Sequence, residues 1–336
     1  MKTLSNSEVA IMESLVNVDQ KTLQGVLYKF LKQYYENVTN DEEFLLAEGD
    51  IPIALVAHMD TVFPRPAEEL YYDRKKNVMW SPTGMGADDR AGVFAILQII
   101  SAGYRPHVIF TTDEEKGGIG AEVLSYMPMP FKDLHYMIQL DRRGSNDCVF
   151  YECDNPDFEK YIEGFGFVTA YGSFSDISTL CPEWGIAGVN LSIGYRDEHS
   201  VSEVLFVGQM LDTIEKVKKM LSEENIPQFV YIPAFNPYYD WDYNYGYGYY
   251  TPKPKFITPQ GGVVTNVKYR CHYCKSKNDE KDVLPIKLVK GGIAYICSNC
   301  LTTKPDVEWC QRCGELFEVD PKHPQSAFCK SCRKGK

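Results

Sequence analysis

The sequence predicts an α/β fold with a mostly parallel sheet and helices on both faces, followed by a small cysteine-rich module. Three observations support this prediction. Helical stretches with apolar residues three and four apart alternate with short apolar runs. Eight cysteines form four Cys-x-x-Cys pairs, all beyond residue 270. Four of the apolar runs are continuous, as in strands buried on both faces of a parallel sheet: 53–57, 108–110, 137–140 and 189–193.

The helices are predicted from the same apolar spacing. The first two precede the first strand and are expected to pack against the core. The third ends at Gly103, a residue type that commonly follows a helix C-terminus. In chain order, the predicted helices are 7–16, 22–31, 88–103, one that begins at Asn155, and a last one from near Glu203 to near Ser222.

Acidic and histidine residues follow the predicted strands. A lone histidine at such a place is usually structural, and an acidic pair usually lies in a solvated turn or at a helix N-terminus. Here, however, several occur together, and ligands of open α/β sheets gather beyond the carboxyl ends of the strands. Imidazole and carboxylate are also the ligand types of catalytic zinc. A metal site is therefore predicted from His58, Asp60, Asp88-Asp89, Glu114-Glu115, Asp141 and His199.

Four segments resemble the motifs of the co-catalytic di-zinc exopeptidases, a clan that includes peptidase T, the carboxypeptidase G-like enzymes and the single-domain zinc aminopeptidases. The segments are 57–62, 86–92, 112–118 and 195–200, in the family's order, and the resemblance covers about residues 45–222. It implies that His58 and Asp141 bind one zinc ion, that Glu115 and His199 bind the other, and that Asp88 bridges the two.

The same resemblance implies roles for two further side chains. Asp60 would lie behind His58 and fix its tautomer, as carboxylates commonly do beside metal-bound histidines. Glu114 would be the general base, since two zinc ions sharing a water make a hydroxide whose proton needs an acceptor. The family also holds the peptide bond between Asp88 and Asp89 in the cis form.

The spacing of the motifs bears on the type of activity. Only 57 residues separate Asp141 from His199, whereas the two-domain relatives insert a lid there that holds the substrate's C-terminal carboxylate. Residues 172–178 instead resemble the Ser-Asp element of the single-domain aminopeptidases. The expectation is an aminopeptidase acting on a peptide or small amide. Two alternatives stay open: a hydrolase of N-acyl amino acids, and a non-catalytic adaptor with a peptidase-like scaffold.

Composition divides the chain into three parts. We expect a catalytic domain at 1–225, a Tyr/Pro/Gly-rich flexible linker at 226–264 and a cysteine module at 265–336. Residues 265–336 hold 14 Lys+Arg against 8 Asp+Glu, whereas 1–264 hold 21 against 38. The acidic first part disfavours nucleic-acid binding there. The linker contains eight tyrosines in 231–250 but no Lys or Arg between the first and last of them, which disfavours nucleic-acid stacking.

The cysteine pairs have the spacing of two four-cysteine zinc ribbons. Sequential pairing is the simpler arrangement, although a cross-braced one stays open. Such ribbons bind protein or nucleic acid, or serve only to hold a small fold together. Two structural zinc ions are thus predicted besides the two catalytic ones, although cobalt or manganese could replace the latter. The predicted cysteine ligands are Cys271, Cys274, Cys297, Cys300, Cys310, Cys313, Cys329 and Cys332.

The remaining features concern the compartment. No apolar stretch reaches the ~18 residues of a membrane span, and the N-terminus lacks the apolar region of a signal peptide. Paired cysteines with metal-ligand spacing indicate a reducing compartment. We therefore expect a cytoplasmic protein without a membrane partner. Cys148, Cys153 and Cys181 are expected to be ordinary buried thiols.

Overall fold

The computed structural model describes residues 2–234, 269–278, 283–287, 293–303, 307–310, 316–321, 330 and 333. The chain forms two compact units, Met1–Ala234 and Phe235–Lys336. None of the helices in the described part of the chain is long and apolar enough to span a bilayer.

The strands of the first unit form two sheets. They are, in chain order, β1 Val38–Asn40, β2 Phe44–Ala47, β3 Ile51–His58, β4 Tyr71–Asp73, β5 Val78–Trp80, β6 Pro106–Thr111, β7 Tyr136–Arg142, β8 Asp147–Val149, β9 Val168–Thr169, β10 Gly188–Ser192, β11 Tyr195–Arg196 and β12 Val204–Phe206. The large sheet has the order β1-β2-β6-β3-β7-β10-β8-β9, and the small one β11-β12-β5-β4.

The centre of the large sheet is parallel, as predicted. β6, β3, β7 and β10 pair in parallel, so their carboxyl ends meet at one edge. β1, β2 and β8 add antiparallel pairings. Alternate residues of β3 enter two hydrophobic clusters: Leu55 faces one, and Ala54 and Val56 face the other. The four apolar runs are thus strands buried on both faces, and the predicted fold class is confirmed.

Helices cover both faces of this sheet. Three begin with side-chain caps, which satisfy N–H groups that have no partner inside the helix: Ser5 at α1, Asp19 at α2 and Asn155 at α5. The helices are α1 Asn6–Val16, α2 Gln20–Leu31, α3 Ala87–Ser101, α4 Ile119–Ser125, α5 Pro156–Glu163, α6 Asp176–Trp184 and α7 Val207–Leu221. The predicted core-packing role of α1 and α2 is confirmed, because Met12, Leu23, Leu27 and other residues of their apolar faces are buried.

The predicted start of the last helix is wrong. α7 begins at Val207 rather than near Glu203, because Val204–Phe206 form strand β12 and pair antiparallel with β5. A β-branched and an aromatic residue within this short run favour a strand. The interval between Asp141 and His199, all of which is described, holds only β8, α5, β9, α6, β10 and β11. It has no lid domain, as predicted.

The first unit extends past residue 225, where we placed the end of the catalytic domain. Val230 bridges to Ile186 and Pro233 to Cys153. The ring of Phe229 lies 4.9 Å from that of Phe158. Residues 226–234 therefore belong to this unit because they supply both backbone pairing and aromatic packing. The rest of the predicted linker, 235–264, lies outside the described residues.

The second unit is described in part. Its elements are β13 Tyr269–Arg270, β14 Lys277–Asn278, β15 Val283–Lys287, β16 Ile293–Cys297, α8 Ser298–Thr303, β17 Val307–Trp309 and β18 Leu316–Glu318. β13 pairs with β14, and the other strands form a sheet of order β16-β15-β18-β17. A small cluster that includes Ile286, Ile296 and Leu316 is buried among three cysteines of the unit.

Candidate metal centre

His58 ends β3, and its side chain is 1% exposed. Its Nδ1 atom lies 3.2 Å from Oδ1 of Asp60, and its Nε2 atom lies 3.1 Å from Oδ1 of Asp88. The same Nε2 atom is 3.6 Å from Oδ1 of Asp141. One ring nitrogen is therefore engaged by Asp60, while the other faces two carboxylates.

Asp88 lies in the first turn of α3, after Gly86, which has a left-handed backbone with φ of 64°. The peptide bond between Asp88 and Asp89 is cis, as the family resemblance implied. The two carboxylate oxygens of Asp88 face different histidines: Oδ1 is 3.1 Å from Nε2 of His58, and Oδ2 is 3.1 Å from Nε2 of His199. This one side chain therefore joins two groups of predicted ligands.

His199 and Glu115 form the outer group. Nε2 of His199 is 3.0 Å from Oε1 of Glu115, and the His199 side chain is 52% exposed. His199 has a φ of 61°, a conformation that non-glycine residues rarely adopt and that often marks functional positions. Oε1 of Glu115 is buried and makes no well-directed hydrogen bond, although Nε2 of His199 is close to it. A buried oxygen in that state is poorly satisfied by protein alone.

Asp141 lies at the carboxyl end of β7 and is fixed by three neighbours. The Tyr195 hydroxyl donates to Oδ1 over 3.0 Å, and Nε2 of Gln139 donates to Oδ2 over 3.1 Å. The Asp141 backbone N–H donates to Oδ1 of Asn190 over 3.0 Å. The carboxylate is thus oriented toward His58 by residues from β7, β10 and β11.

Asp60 holds the segment that carries the two glutamates. Its Oδ1 accepts the backbone N–H of Glu114 and its Oδ2 that of Glu115, both over 3.0 Å. Since Oδ1 also faces His58, this carboxylate connects the ends of β3 and β6. Asp60 thus lies beside Nδ1 of His58 and also accepts the backbone N–H groups of the glutamate pair.

The fold assembles both predicted triads of ligands. Ligand atoms of His58, Asp88 and Asp141 all lie within 4.8 Å of one another, and so do those of Asp88, Glu115 and His199. Asp88 belongs to both triads. A third group with the same spacing contains His58, Glu114 and Glu115, so Glu114 lies at the same cluster.

Burial makes this cluster electrostatically unfavourable without a cation. Burial and the nearby Asp88 raise the pKa of Glu115 to about 7 and that of Asp141 to about 7. Burial, with Asp141 and Asp176 adding to it, raises the pKa of Glu114 to about 9. Each shift reflects the cost of another negative charge in a space that already holds several.

For the two histidines and the central aspartate, the neighbours favour the charged form instead. Burial opposes charge on His58, but its hydrogen bonds to Asp141, Asp60 and Asp88 outweigh burial and raise its pKa well above the usual range. The hydrogen bond to Asp88 raises the pKa of His199 to about 9. Burial would raise the pKa of Asp88, but both histidines outweigh it and hold that pKa below its usual range. A divalent cation would balance the negative charge of these carboxylates, and imidazole and carboxylate are donor types that suit zinc.

Three further residues contact the proposed ligands or their neighbours; Asp176 lies in the Ser-Asp element noted in the sequence, whereas no role was predicted for Glu203 or Gln139. Glu203 is 1% exposed and accepts the backbone N–H groups of Ala87 and Asp88. Gln139 donates to Asp176 as well as to Asp141. Asp176 is fully buried, and burial raises its pKa to about 6. A glutamine within an apolar run is a signal that could have identified Gln139, since a polar residue inside a buried strand needs partners.

The second unit brings four predicted cysteine ligands together. The Sγ atoms of Cys271, Cys274, Cys297 and Cys300 all lie within 4.8 Å of one another. Burial opposes the Cys271 thiolate, but backbone N–H groups led by that of Cys297 lower its pKa to about 6. Burial and the neighbouring thiols raise the pKa of Cys300 to about 12. Four thiolates could share this space only around a cation. The grouping follows the sequential pairing.

The second predicted cysteine quartet is described only at Cys310, which is buried. Cys313, Cys329 and Cys332 lie outside the described residues. Cys148, Cys153 and Cys181 are buried thiols, as expected, and burial raises the pKa of each.

Comparison with known proteins finds similarity in structure alone. No protein-family model matches the sequence. No curated protein matches it. Among solved structures, the aminopeptidase PepT from Bacillus cereus superposes with a TM-score of 0.51 at 16% identity, over 62% of this chain and 96% of that chain.

Two further structures match over similar lengths. A TET aminopeptidase from a marine-sediment Thaumarchaeota archaeon has a TM-score of 0.53 at 12% identity, covering 66% of this chain and 98% of that chain. A tripeptidase from Staphylococcus aureus has a TM-score of 0.50 at 15% identity, covering 62% and 95%. At these identities the similarity establishes the shared fold.

Proposed function

We propose that this chain is a zinc-dependent peptide hydrolase, most simply an aminopeptidase. The observation that carries the proposal is the position of Asp88, whose two carboxylate oxygens each lie 3.1 Å from Nε2 of a different histidine. A carboxylate so placed is suited to bridge two metal ions, as a two-metal site requires. The structurally similar proteins are two aminopeptidases and a tripeptidase, which agrees with this activity.

The ligands divide into two sets in this proposal. His58 and Asp141 hold one ion, Glu115 and His199 hold the other, and Asp88 holds both. Bound zinc ions would lower the pKa of a shared water and polarise the scissile carbonyl. Oε1 of Glu115 is buried, makes no well-directed hydrogen bond and lies 3.0 Å from Nε2 of His199, which supports this assignment because one metal ion could bind both atoms.

Glu114 is the proposed general base. Its carboxylate takes a proton from the attacking water as the new C–O bond forms, and donates that proton to the nitrogen as the C–N bond breaks. Without a cation, burial raises the pKa of Glu114 to about 9, and bound cations would lower it so that the carboxylate can accept a proton. Asp60 keeps the base in place by accepting the N–H groups of Glu114 and Glu115.

The absence of a lid favours an aminopeptidase among peptide hydrolases. Residues 142–198, all described, add only short elements of the same unit. Nothing in that interval forms a separate domain over the site that could hold a C-terminal carboxylate. Peptides with a free amino terminus are therefore the proposed substrates, and a reducing compartment such as the cytoplasm is the proposed location.

We further propose that Cys271, Cys274, Cys297 and Cys300 hold a structural zinc ion in a ribbon module, separate from catalysis in the first unit. Mutual Sγ separations within 4.8 Å support this, since a tetrahedral zinc site with bonds of ~2.3 Å has ligand separations below that limit. The second quartet remains a prediction, as does the expectation that the module binds protein or nucleic acid.

Glu114→Gln tests the proposed mechanism. The change preserves shape and leaves all five proposed ligands intact, so bound zinc should stay at the wild-type level. Loss of the base should lower kcat by ~10²–10⁴-fold, measured on a panel of aminoacyl amides, dipeptides and N-acyl amino acids. Glu13→Gln, at an exposed helix position, is the matched control.

Three outcomes of that experiment decide the proposal. Near-normal turnover by Glu114→Gln would reject the assigned base. Cleavage of N-acyl amino acids alone would replace the aminopeptidase by an amide hydrolase. Absence of hydrolysis across the panel in a wild-type protein that holds its zinc would favour the adaptor alternative.

A further inference from the structure

Glu203 is a buried acid that lies outside the proposed ligand set. Its side chain belongs to the segment between His199 and β12, and the residue is 1% exposed. Oε2 accepts the backbone N–H of Ala87 over 2.9 Å, and Oε1 accepts that of Asp88 over 3.1 Å. Both oxygens are used, which fixes the plane of the carboxylate.

These bonds satisfy the first turn of α3, which has no cap of its own. The N-cap residue is Gly86, which makes no side-chain capping bond. The first N–H groups of a helix need partners, and a negative charge is favoured near them. Glu203, which lies 115 positions after Asp88 in the chain, supplies both the hydrogen-bond acceptors and the negative charge. It therefore restrains the backbone of Asp88 directly.

Glu203 also closes the loop that carries His199. Its backbone N–H donates to the carbonyl of Ser200 over 3.1 Å. The Ser200 hydroxyl donates to the carbonyl of Asp197 over 2.7 Å. Asp197 and His199 both have positive φ, 55° and 61°, so the loop adopts a conformation that its own residues do not favour. A fixed anchor at Glu203 makes this conformation easier to maintain.

We propose that Glu203 is a positioning residue that couples the two halves of the metal centre. Through its side chain it holds the bridging Asp88, and through its backbone it holds the loop of His199. This inference rests on the proposed two-metal function and adds a residue to it. The glutamate sets the affinity for the ion on the His199 side.

The two ions should depend on Glu203 to different degrees. His58 is buried, the Asp141 side chain is 9% exposed, and both lie at the ends of central strands, where Asp60, Tyr195 and Gln139 fix them. His199 is half exposed and lies on a loop, so it depends more on its anchor. Loss of supporting bonds around metal ligands typically costs 10–100-fold in affinity. That loss should fall on the His199-side ion.

Glu203→Gln tests the inference, because the amide oxygen can accept only one of the two N–H groups. Metal-free full-length protein is titrated with zinc, and the chain's cysteine sites serve as a common background. Wild type should bind two further ions. Glu203→Gln should bind one with affinity within a few-fold of wild type and the other ~10–100-fold more weakly. It should resemble His199→Ala, while Glu224→Gln, at an exposed position, should match wild type.

A second readout separates positioning from general structure. Excess zinc should restore kcat in Glu203→Gln, because a weakened site refills by mass action. Glu203→Asp, one methylene shorter, is the second variant if Glu203→Gln does not fold, and it should show the same selective loss. Equal loss of both ions, or no loss of either, would overturn the inference. If wild type binds no zinc beyond its cysteine sites, the proposed function fails instead.

Discussion

At the residue scale, three carboxylates of the candidate site engage a different partner with each of their two oxygens. Asp88 faces a histidine with each oxygen, Asp60 accepts N–H groups from both members of the glutamate pair, and Glu203 accepts two N–H groups at the start of α3. A carboxylate with both oxygens engaged has little freedom to rotate. Rigidity of this kind would keep the proposed ligands in place before an ion binds.

The side chains of the candidate site differ in how far the sequence predicts them. His58, Asp141 and the glutamate pair could be predicted because each follows an apolar run that becomes a parallel strand. Glu203 could not, because it acts on the backbone of α3, and a lone glutamate in a loop gives no sign of a distant partner. Which residue assists which depends on tertiary contacts that a single sequence does not contain.

His107 provides a residue-scale prediction of pH dependence. It is 3% exposed, its Nδ1 accepts the N–H of Gly49, and its Nε2 donates to the carbonyl of Asp133. Burial lowers its pKa below the usual 6.5. Below pH 6.5, His107 is therefore protonated to a greater extent in the unfolded chain than in the folded chain. Stability should fall as pH drops from 6.5 toward the lower folded pKa.

His107→Gln should remove that part of the pH dependence, since an amide can accept from Gly49 and donate to Asp133 without titrating. Urea midpoints at pH 7.5 and pH 5.5 measure the effect, and the fall between them should be smaller in the variant. Other acids titrate equally in both proteins and cancel in the difference. An identical pH dependence in variant and wild type would show that His107 is not held neutral.

At the element scale, the site exists because four parallel strands end at one edge. β3, β6, β7 and β10 each lead into a proposed ligand or into the loop that carries one, and α3 adds Asp88 from the same side. The strands were predictable from continuous apolar runs. The start of α7 was not, because the pairing of β12 with the distant β5 overrides the helical spacing of the sequence. Local periodicity cannot reveal such a partner.

Close packing of α3 on β7 gives the element-scale prediction. A Cβ atom at Gly92 would lie 2.3 Å from the Leu140 carbonyl oxygen and 2.4 Å from Oδ1 of Asp89. Gly92→Ala should therefore push the helix away from the strand and lower the free energy of unfolding by ~1–3 kcal/mol, as overpacking does. Zinc affinity should fall with it, because both elements carry proposed ligands.

Gly25→Ala is the matched control, because nothing lies within 4 Å of a Cβ at this position in α2. Alanine replaces glycine in a helix there, so stability should rise by ~0.5–1 kcal/mol. Chemical unfolding of the two variants beside wild type measures both. Equal effects of the two substitutions would contradict the packing described for α3.

At the scale of the whole molecule, composition separates an acidic first part from a basic cysteine-rich one, and the structure also has two compact units. The existence of a division was predictable from charge and cysteine spacing. The extent of the first unit was not, because 226–234 resemble the Pro- and Tyr-rich stretch that follows. Phe229 nevertheless contacts the rings of Tyr136, Phe158 and Tyr161.

Two truncations test this organisation. A chain ending at Ala234 keeps every proposed catalytic ligand and the Phe229 cluster, so it should fold and hydrolyse small aminoacyl amides at a rate near that of the full chain. A chain ending at residue 225 loses that cluster and should be less stable by at least ~3 kcal/mol, a typical cost of removing a core phenylalanine. Thermal unfolding and initial rates measure both.

Two other outcomes of the truncations would contradict this organisation. Equal stability of the two chains would show that 226–234 add nothing to the first unit. A chain ending at Ala234 that keeps its zinc but loses hydrolysis of the smallest substrates would place part of the active site in the second unit.

The central claim is that Asp88 bridges two metal ions, and anomalous diffraction at the zinc edge tests it most directly. Crystals of the full chain grown with zinc should show two anomalous peaks in the first unit, ~3.5–4 Å apart. One peak should lie among His58, Asp141 and Asp88, and the other among Glu115, His199 and Asp88. A single peak, or two peaks that share no oxygen ligand from Asp88, would contradict the account.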